Sequence, residues 1–269
     1  MASLLKGRRS DCSYFNGRNC YNVCSINALK NYFAMSGQKS TPTSALSKVS
    51  LWRGLAPEQL ARVNALCRWK TYGEGEEILS YLDRSDDVYF IIEGDVRVTI
   101  YSLQGSVVTI GDAGGGEIFG EMSAIDGQLR SASIVALTAC YVASMTATAF
   151  RAIIKSEPGA GWELSRVITQ KLRSLTHRVY ELSTLDVANR TRAELLRLAK
   201  NGRRDGKAAI ISPVPTQAEI ASKISSKREV VARELLRLRD LGVVERRKGV
   251  LIVRDVERLA EMVHAAVGE

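Results

Sequence analysis

The residues of this chain best suited to chemistry lie in Ile118-Phe-Gly-Glu-Met-Ser-Ala-Ile125 and, after four intervening residues, in Arg130-Ser-Ala132. Gly120 carries no Cβ, so a backbone there can approach an anion closely. Glu121 offers two acceptor oxygens suited to a sugar hydroxyl. Arg130 presents a planar fork of donors matched to phosphate oxygens, and Ser131 adds a hydroxyl. One carboxylate for a ribose and one guanidinium for a phosphate describe a nucleotide site, although an ion pair between Glu121 and Arg130 would use the same two residues with no ligand. A second cluster follows much later in the chain. Thr216 with Glu219 three residues on forms a helix-start box, and Ala221 and Ile224 face inward before a polar turn. A second helix starting near Ser226 buries Val230, Leu235 and Leu238 and turns Lys227, Arg228, Glu229 and Arg233 outward. Arginine can pair bidentately with guanine and glutamate can accept from cytosine N4, so this helix suits the major groove of DNA. The two histidines, His177 and His264, stand far apart, and no catalytic constellation is present, which argues against an enzyme.

The elements that must position these residues change period along the chain. A short helix pair uses Leu51, Leu55, Leu60 and Val63. From Lys70 onward short strands alternate with glycines: Asp87 to Gly94, Val96 to Tyr101, a turn at Gly105 into Val107 to Ile110, Ser131 to Ala136, and Cys140 to Met145. Such spacing with glycine corners indicates a closed antiparallel barrel or roll. After Pro158 the pattern turns helical. Ile168, Leu172, Leu175, Val179 and Leu182 recur every three or four residues, a heptad seam that calls for a second helix. Flanking Arg173, His177, Arg178 and Glu181 leave a single apolar stripe, which favours a symmetric dimer. Arg192 to Lys200 is amphipathic, breaks follow at Asn201-Gly202 and Asp205-Gly206, and Ile210-Ile211 reads as a strand. Two more helices and a terminal hairpin around Lys248-Gly249 complete the chain. The fold class is therefore α+β, with boundaries at 1–45 (a disordered extension), 46–157 (the roll), 158–188 (the long helix and hinge) and 189–269 (the basic domain).

Charge supports two jobs. Residues 190–255 hold 17 basic against 8 acidic side chains, whereas residues 70–156 hold 6 against 12. A basic end behind an acidic middle points to a polyanionic partner for the former. No apolar run reaches the roughly 18 residues of a membrane span, and the first residues lack a secretory stretch, so the expected location is the cytoplasm. Residues 1–45 show no periodicity, and Met35 is an alternative start. Cys12, Cys20 and Cys24 cluster in this stretch, with a spacing that fits neither a zinc pattern nor a bacterial iron–sulfur run. They underlie an alternative reading of the chain as a redox- or gas-sensing regulator.

The Phe-Gly-Glu-Met-Ser and Arg-Ser-Ala wording resembles the phosphate-binding cassette of cyclic-nucleotide-binding domains. Thr216 to Arg233, with Leu241-Gly-Val-Val and Glu245 to Val253 as a wing, resembles the winged helix-turn-helix of the cyclic AMP receptor protein and fumarate-nitrate regulator (CRP/FNR) family. Leu185-Asp-Val-Ala-Asn-Arg190 is similar to that family's hinge. Together the likeness spans about residues 50–255, nearest to the alphaproteobacterial Clr-type receptors. It implies a cyclic-nucleotide-binding β-roll, a long dimerisation helix and a C-terminal winged helix-turn-helix. It also implies cyclic AMP as ligand, with cyclic GMP as an alternative, and Gly120 and Glu121 on the sugar. Arg130 and Ser131 would then hold the phosphate, with Ile110 and Met122 packed near the nucleotide. In the bacterial members a Thr-Ser pair on the long helix meets the base, one residue coming from the partner subunit; here the pair reads Leu175-Thr176, so only Thr176 keeps a hydroxyl. Arg228, Glu229 and Arg233 land on the family's base-reading positions, with Lys227 beside them for a phosphate. The implied protein is a homodimeric activator-type regulator that binds palindromic double-stranded DNA and contacts RNA polymerase.

Overall fold

The computed structural model describes residues 42–101, 107–247 and 249–267. Met35, Cys12, Cys20, Cys24, Gly105 and Lys248 lie outside the described residues. The first described helix, α1 (Pro42–Leu46), begins inside the stretch read as an extension, because Ala45 and Leu46 are buried in the first hydrophobic cluster. A 3-10 turn (Ser50–Trp52) and α2 (Pro57–Ala65) follow, with Leu51, Leu60 and Val63 buried as their spacing predicts.

Among the described residues eight strands make the roll: β1 (Arg68–Tyr72), β2 (Glu77–Leu79), β3 (Val88–Glu93), β4 (Asp95–Tyr101), β5 (Val107–Gly114), β6 (Ile118–Phe119), β7 (Ser133–Ala136) and β8 (Cys140–Met145). They pair antiparallel in two four-stranded sheets, ordered β1-β8-β3-β6 and β2-β7-β4-β5. Strand period two decides where each side chain goes. Along β3, Val88, Phe90 and Ile92 join the cluster beneath the helices, whereas Ile91 joins the cluster between the sheets with Val96, Phe119, Ile134 and Val142. The corner at Gly94 needs glycine: φ is +90°, and a Cβ would meet the Ala139 carbonyl oxygen at 2.5 Å. Two short helices, α3 (Glu121–Asp126) and α4 (Ala147–Ser156), flank the last two strands.

The long helix α5 (Pro158–Thr184) starts with proline at its first position, where no amide donor is needed. Only Ala160 and Leu164 of this 27-residue helix are buried. Every residue of the apolar stripe, Ile168, Leu172, Leu175, Val179 and Leu182, is between 37% and 63% exposed, so the stripe is not core of this chain. The helix ends at Leu185, and the Asp186 side chain accepts from the Asn189 amide at 2.8 Å to start α6 (Val187–Asn201).

The C-terminal unit continues with β9 (Arg203–Asp205), β10 (Ala208–Ile211), α7 (Gln217–Lys223), α8 (Arg228–Asp240), β11 (Val244–Arg247), β12 (Val250–Val253) and α9 (Val256–Val267), its sheet ordered β11-β12-β10-β9. The Thr216 box forms: its hydroxyl accepts from the Glu219 amide at 3.1 Å, and its amide donates to Glu219 Oε2 at 2.7 Å. Three expectations change here. The chain does not close on the wing but on α9, whose Leu259 and Val263 are buried in the domain core. Asp205-Gly206 is a hairpin turn between β9 and β10 rather than a simple break. The buried face of α8 carries Val231 and Leu238, with Leu235 packed alongside, while Val230 is only half-buried. Val230 lies about 100° around the helix from Val231, and the position between Val231 and Leu238 on the inner face goes to Glu234, which Arg192 Nε neutralises at 2.7 Å.

Candidate functional site

The roll holds Glu121 and Arg130 at 4% and 2% exposure. Buried charge is costly unless partnered, and among the described residues the two are partnered separately rather than with each other. Glu121 Oε1 receives Lys171 Nζ at 2.9 Å, and the same ammonium donates to the Ile118 carbonyl at 2.9 Å. Arg130 donates Nε to Ser85 Oγ at 3.1 Å, Nη1 to the Gly120 carbonyl at 2.9 Å and Nη2 to the Asp87 carbonyl at 2.8 Å. Burial pulls the Arg130 guanidinium below its ordinary value, against the pull of Tyr89 and Asp87 in the other direction. Its carbon sits 5.9 Å from the Tyr89 ring centre, and Tyr89 stacks on Phe119 at 4.9 Å.

Gly120 joins the two groups, since Glu121 follows it and Arg130 donates to its carbonyl. Its φ is +78°, and a Cβ would lie 2.8 Å from both Arg130 Nη1 and the Asp87 carbonyl oxygen. The glycine is thus required to admit the arginine, a different physical reason from an open approach for an anion. Ser131 is exposed and donates to Met122 Sδ at 3.5 Å; Met122 is exposed as well. Ile110 is half-buried on β5, and its carbonyl accepts from Arg178 Nη1 at 2.9 Å. Thr176 is exposed on α5 and gives its hydroxyl to the Leu172 carbonyl at 2.9 Å, one turn back along its own helix. The structure therefore brings Gly120, Glu121 and Arg130 together, sets Met122 beside Ser131, and leaves Thr176 facing outward.

Sequence reasoning missed Lys171, Ser85 and Asp87. A cation one helical turn before Leu175 was the available signal for Lys171. Nothing marked Ser85 and Asp87, because Asp87 contributes its main-chain oxygen to Arg130.

On the C-terminal unit, Lys227 is the N-cap of α8, and Lys227, Arg228, Glu229 and Arg233 are all exposed. Arg228 Nε donates to Glu229 Oε1 at 2.9 Å, with the two side chains 72% and 63% exposed. The turn before this helix passes through Ser225 at φ +50°. The wing pairs β11 with β12 from Val244↔Val253 to Arg247↔Val250, and Glu245 there takes both Arg247 and Arg254. Cys67 is half-buried, its thiol pushed up to about 12 by burial, and Cys140 is buried. No group of metal-ligating residues occurs among the described residues, and no described helix is long and apolar enough to cross a membrane.

Residues 69–157 match the model of the cyclic nucleotide-binding domain family, and residues 189–262 match that of the Crp-like helix-turn-helix domain. A CRP-like cAMP-activated global transcriptional regulator of Mycobacterium tuberculosis is 27% identical over 216 residues, covering 80% of this chain and 96% of that protein. The cyclic AMP receptor protein of Thermus thermophilus is 29% identical over 214 residues, 79% of this chain and 95% of that protein. Among solved structures, the c-di-GMP responsive global regulator CLP of Xanthomonas campestris superposes with a TM-score of 0.64 at 21% identity, covering 74% of this chain and 99% of that one.

Proposed function

Because this chain belongs to the CRP/FNR family of transcription regulators, which are not enzymes, we propose that it is a cyclic AMP-responsive homodimer acting on two-fold symmetric operators. The observation that carries this reading is the arrangement around Gly120: a buried carboxylate on the next residue and a buried guanidinium that donates to the Gly120 carbonyl, each positioned by protein partners and neither spent on the other. Arg130 uses one hydrogen on each of its nitrogens for the protein, so its remaining N–H donors can meet equatorial phosphate oxygens. Glu121 keeps Oε2 for a ribose hydroxyl. Ser131, near Met122, supplies a further donor at the surface of the cassette.

The exposed stripe of α5 is the natural dimer seam. In a two-fold pair each Thr176 would approach the partner's roll, where its hydroxyl can leave the Leu172 carbonyl for a base. The names of the curated relatives favour cyclic AMP; cyclic GMP uses the same sugar and phosphate contacts. On DNA, Arg228, Glu229 and Arg233 read bases while Lys227 holds a phosphate, and a regulator so placed would contact RNA polymerase. Switching requires that nucleotide bind the DNA-competent arrangement more tightly, by roughly 5.5 kcal/mol for a swing from about 1:99 to 99:1. Calorimetric titration with cyclic AMP, cyclic GMP and c-di-GMP, each with and without a palindromic operator, tests the reading. Saturable cyclic AMP binding that tightens DNA binding is expected, and a protein that binds only c-di-GMP, or no nucleotide, would overturn it.

A further inference from the structure

The outer face of the β4–β5 hairpin is polar. Arg97 and Thr99 on β4 stand opposite Asp112 and Thr109 on β5, and helix α7 covers them. Arg97 donates Nε to Asp112 Oδ1 at 2.9 Å and Nη1 to Glu219 Oε1 at 2.7 Å. Lys223 Nζ reaches Asp112 Oδ2 at 2.7 Å and lies 3.6 Å from Glu194 Oε1. The Thr109 and Ser222 hydroxyls are 2.9 Å apart, and Ser222 Oγ donates to the Val107 carbonyl at 3.0 Å. Charges thus alternate in sign through Glu219, Arg97, Asp112, Lys223 and Glu194. With the Arg97 and Lys223 side chains only 18% and 13% exposed, salt screens these pairs less than it screens surface pairs.

Arg178 of α5 sits at the junction. Its Nη1 donates to the Ile110 carbonyl at 2.9 Å, and its Nη2 donates to the Lys223 carbonyl. The latter lies at the C-terminal end of α7, where the helix dipole favours a cation. One guanidinium therefore ties the strand carrying Ile110, the long helix and α7, the first helix of the helix-turn-helix. An apolar contact between these parts could slide, whereas directional hydrogen bonds and paired charges hold only one register.

We propose that Arg178 and the Asp112–Lys223 pair form the junction through which the nucleotide site sets the position of the helix-turn-helix. This rests on the reading that Ile110 borders the nucleotide. A ligand packing on β5 shifts a main-chain acceptor that Arg178 holds directly, and α7 must follow or release. Arg178 is a positioning residue: it touches neither base nor phosphate in this scheme.

The test uses the full-length protein and its Arg178→Met, Lys223→Met and Lys223→Arg variants. Operator affinity is measured with and without cyclic AMP, and amide hydrogen exchange is followed over residues 107–114 and 217–223. The wild-type ratio of the two affinities is expected within the 5- to 150-fold range typical of coupled sites, and both Met variants should bring it within about twofold of one, with Lys223→Arg retaining it. Exchange in both segments should rise in the Met variants only. Folded Met variants that keep the full ratio would overturn the junction. A wild type that binds no nucleotide would instead sink the functional reading, and the exchange data then decide the junction alone: unchanged protection in both segments rejects it.

Discussion

In the roll, Glu121 and Arg130 are buried and already hold their protein partners, whereas on α8 the residues Lys227, Arg228, Glu229 and Arg233 stand in solvent. Burying a charge costs several kcal/mol unless fixed partners offset it, so the roll can keep its two charges only in a defined geometry. A small ligand meets that geometry ready-made. The α8 side chains retain their freedom and give it up on binding, which suits a long polyanion that is sampled at many positions before one is chosen. The Arg228–Glu229 pair is the only ordering observed there among the described residues, and an exposed pair of this kind is weak. Preorganisation at one end and adaptability at the other place the demand for exact geometry on the nucleotide.

The largest break in this comparison comes from Arg130→Ala. The ligand would lose its strong cationic partner, at about 1.5–3 kcal/mol for each charge-assisted contact, so cyclic AMP affinity should fall by a hundredfold or more by that measure. The same substitution strips donors from the Gly120 and Asp87 carbonyls and from Ser85, and unmade buried bonds cost about 1–3 kcal/mol each. Thermal unfolding should therefore register the change even without nucleotide. Near-normal cyclic AMP affinity in the folded variant would remove Arg130 from the phosphate site.

Arg228→Ala and Lys227→Ala sharpen the other side. On a two-fold symmetric site with half-sites about one helical turn apart, Arg228 and Arg233 should each read a guanine and Glu229 a cytosine. Losing Arg228 should cost roughly 1–3 kcal/mol of discrimination at one symmetric pair of positions. Its exposure predicts little change in unfolding temperature, in contrast to Arg130→Ala. Lys227→Ala should weaken all sequences alike and lower the magnitude of the salt slope by about one per subunit. Binding-site selection with both variants decides the matter. Undiminished half-site preference in Arg228→Ala, or a Lys227→Ala effect confined to particular bases, would undo these assignments.

What could be read in advance follows the same division. The roll, the long helix and the helix-turn-helix were legible because strand alternation, the heptad stripe and the Thr216–Glu219 box are local signals. Glu121, Arg130, Arg228 and Glu229 could be singled out because their chemistry is carried by side-chain type, and the structure buries the first two and exposes the others. The partners of the buried charges were not. Asp87 acts on Arg130 through its backbone oxygen, which no residue identity reveals, and Ser85 and Lys171 reach the site from other elements. Glu234 on the buried side of α8 looks like an error of pattern until Arg192, from another helix, neutralises it. Arg178 read as a flank of the seam, yet its guanidinium joins two other elements. Helix α9 was overlooked because its apolar positions follow closely on the wing, with only Arg254 and Asp255 between.

The smallest expected effect belongs to Thr176→Ala, and it bears on whether the long helix reads the base at all. The hydroxyl is satisfied by the Leu172 carbonyl, so a base must draw it away from a bond of similar worth. The net gain is then a single neutral hydrogen bond at most, about 0.5–1.5 kcal/mol, or a few-fold in affinity. Adenine and guanine present different donors and acceptors on their six-membered rings, so the loss should fall unequally on cyclic AMP and cyclic GMP. Because Leu175 offers no hydroxyl, no neighbouring side chain of the pair can take over the role. Leu172 and Leu175 stay in place in the variant, so the dimer dissociation constant should change little. Parallel titrations with the two nucleotides, with sedimentation to follow the dimer, separate the cases. Equal losses for both nucleotides, accompanied by a weaker dimer, would assign Thr176 to the seam and leave base choice to the roll.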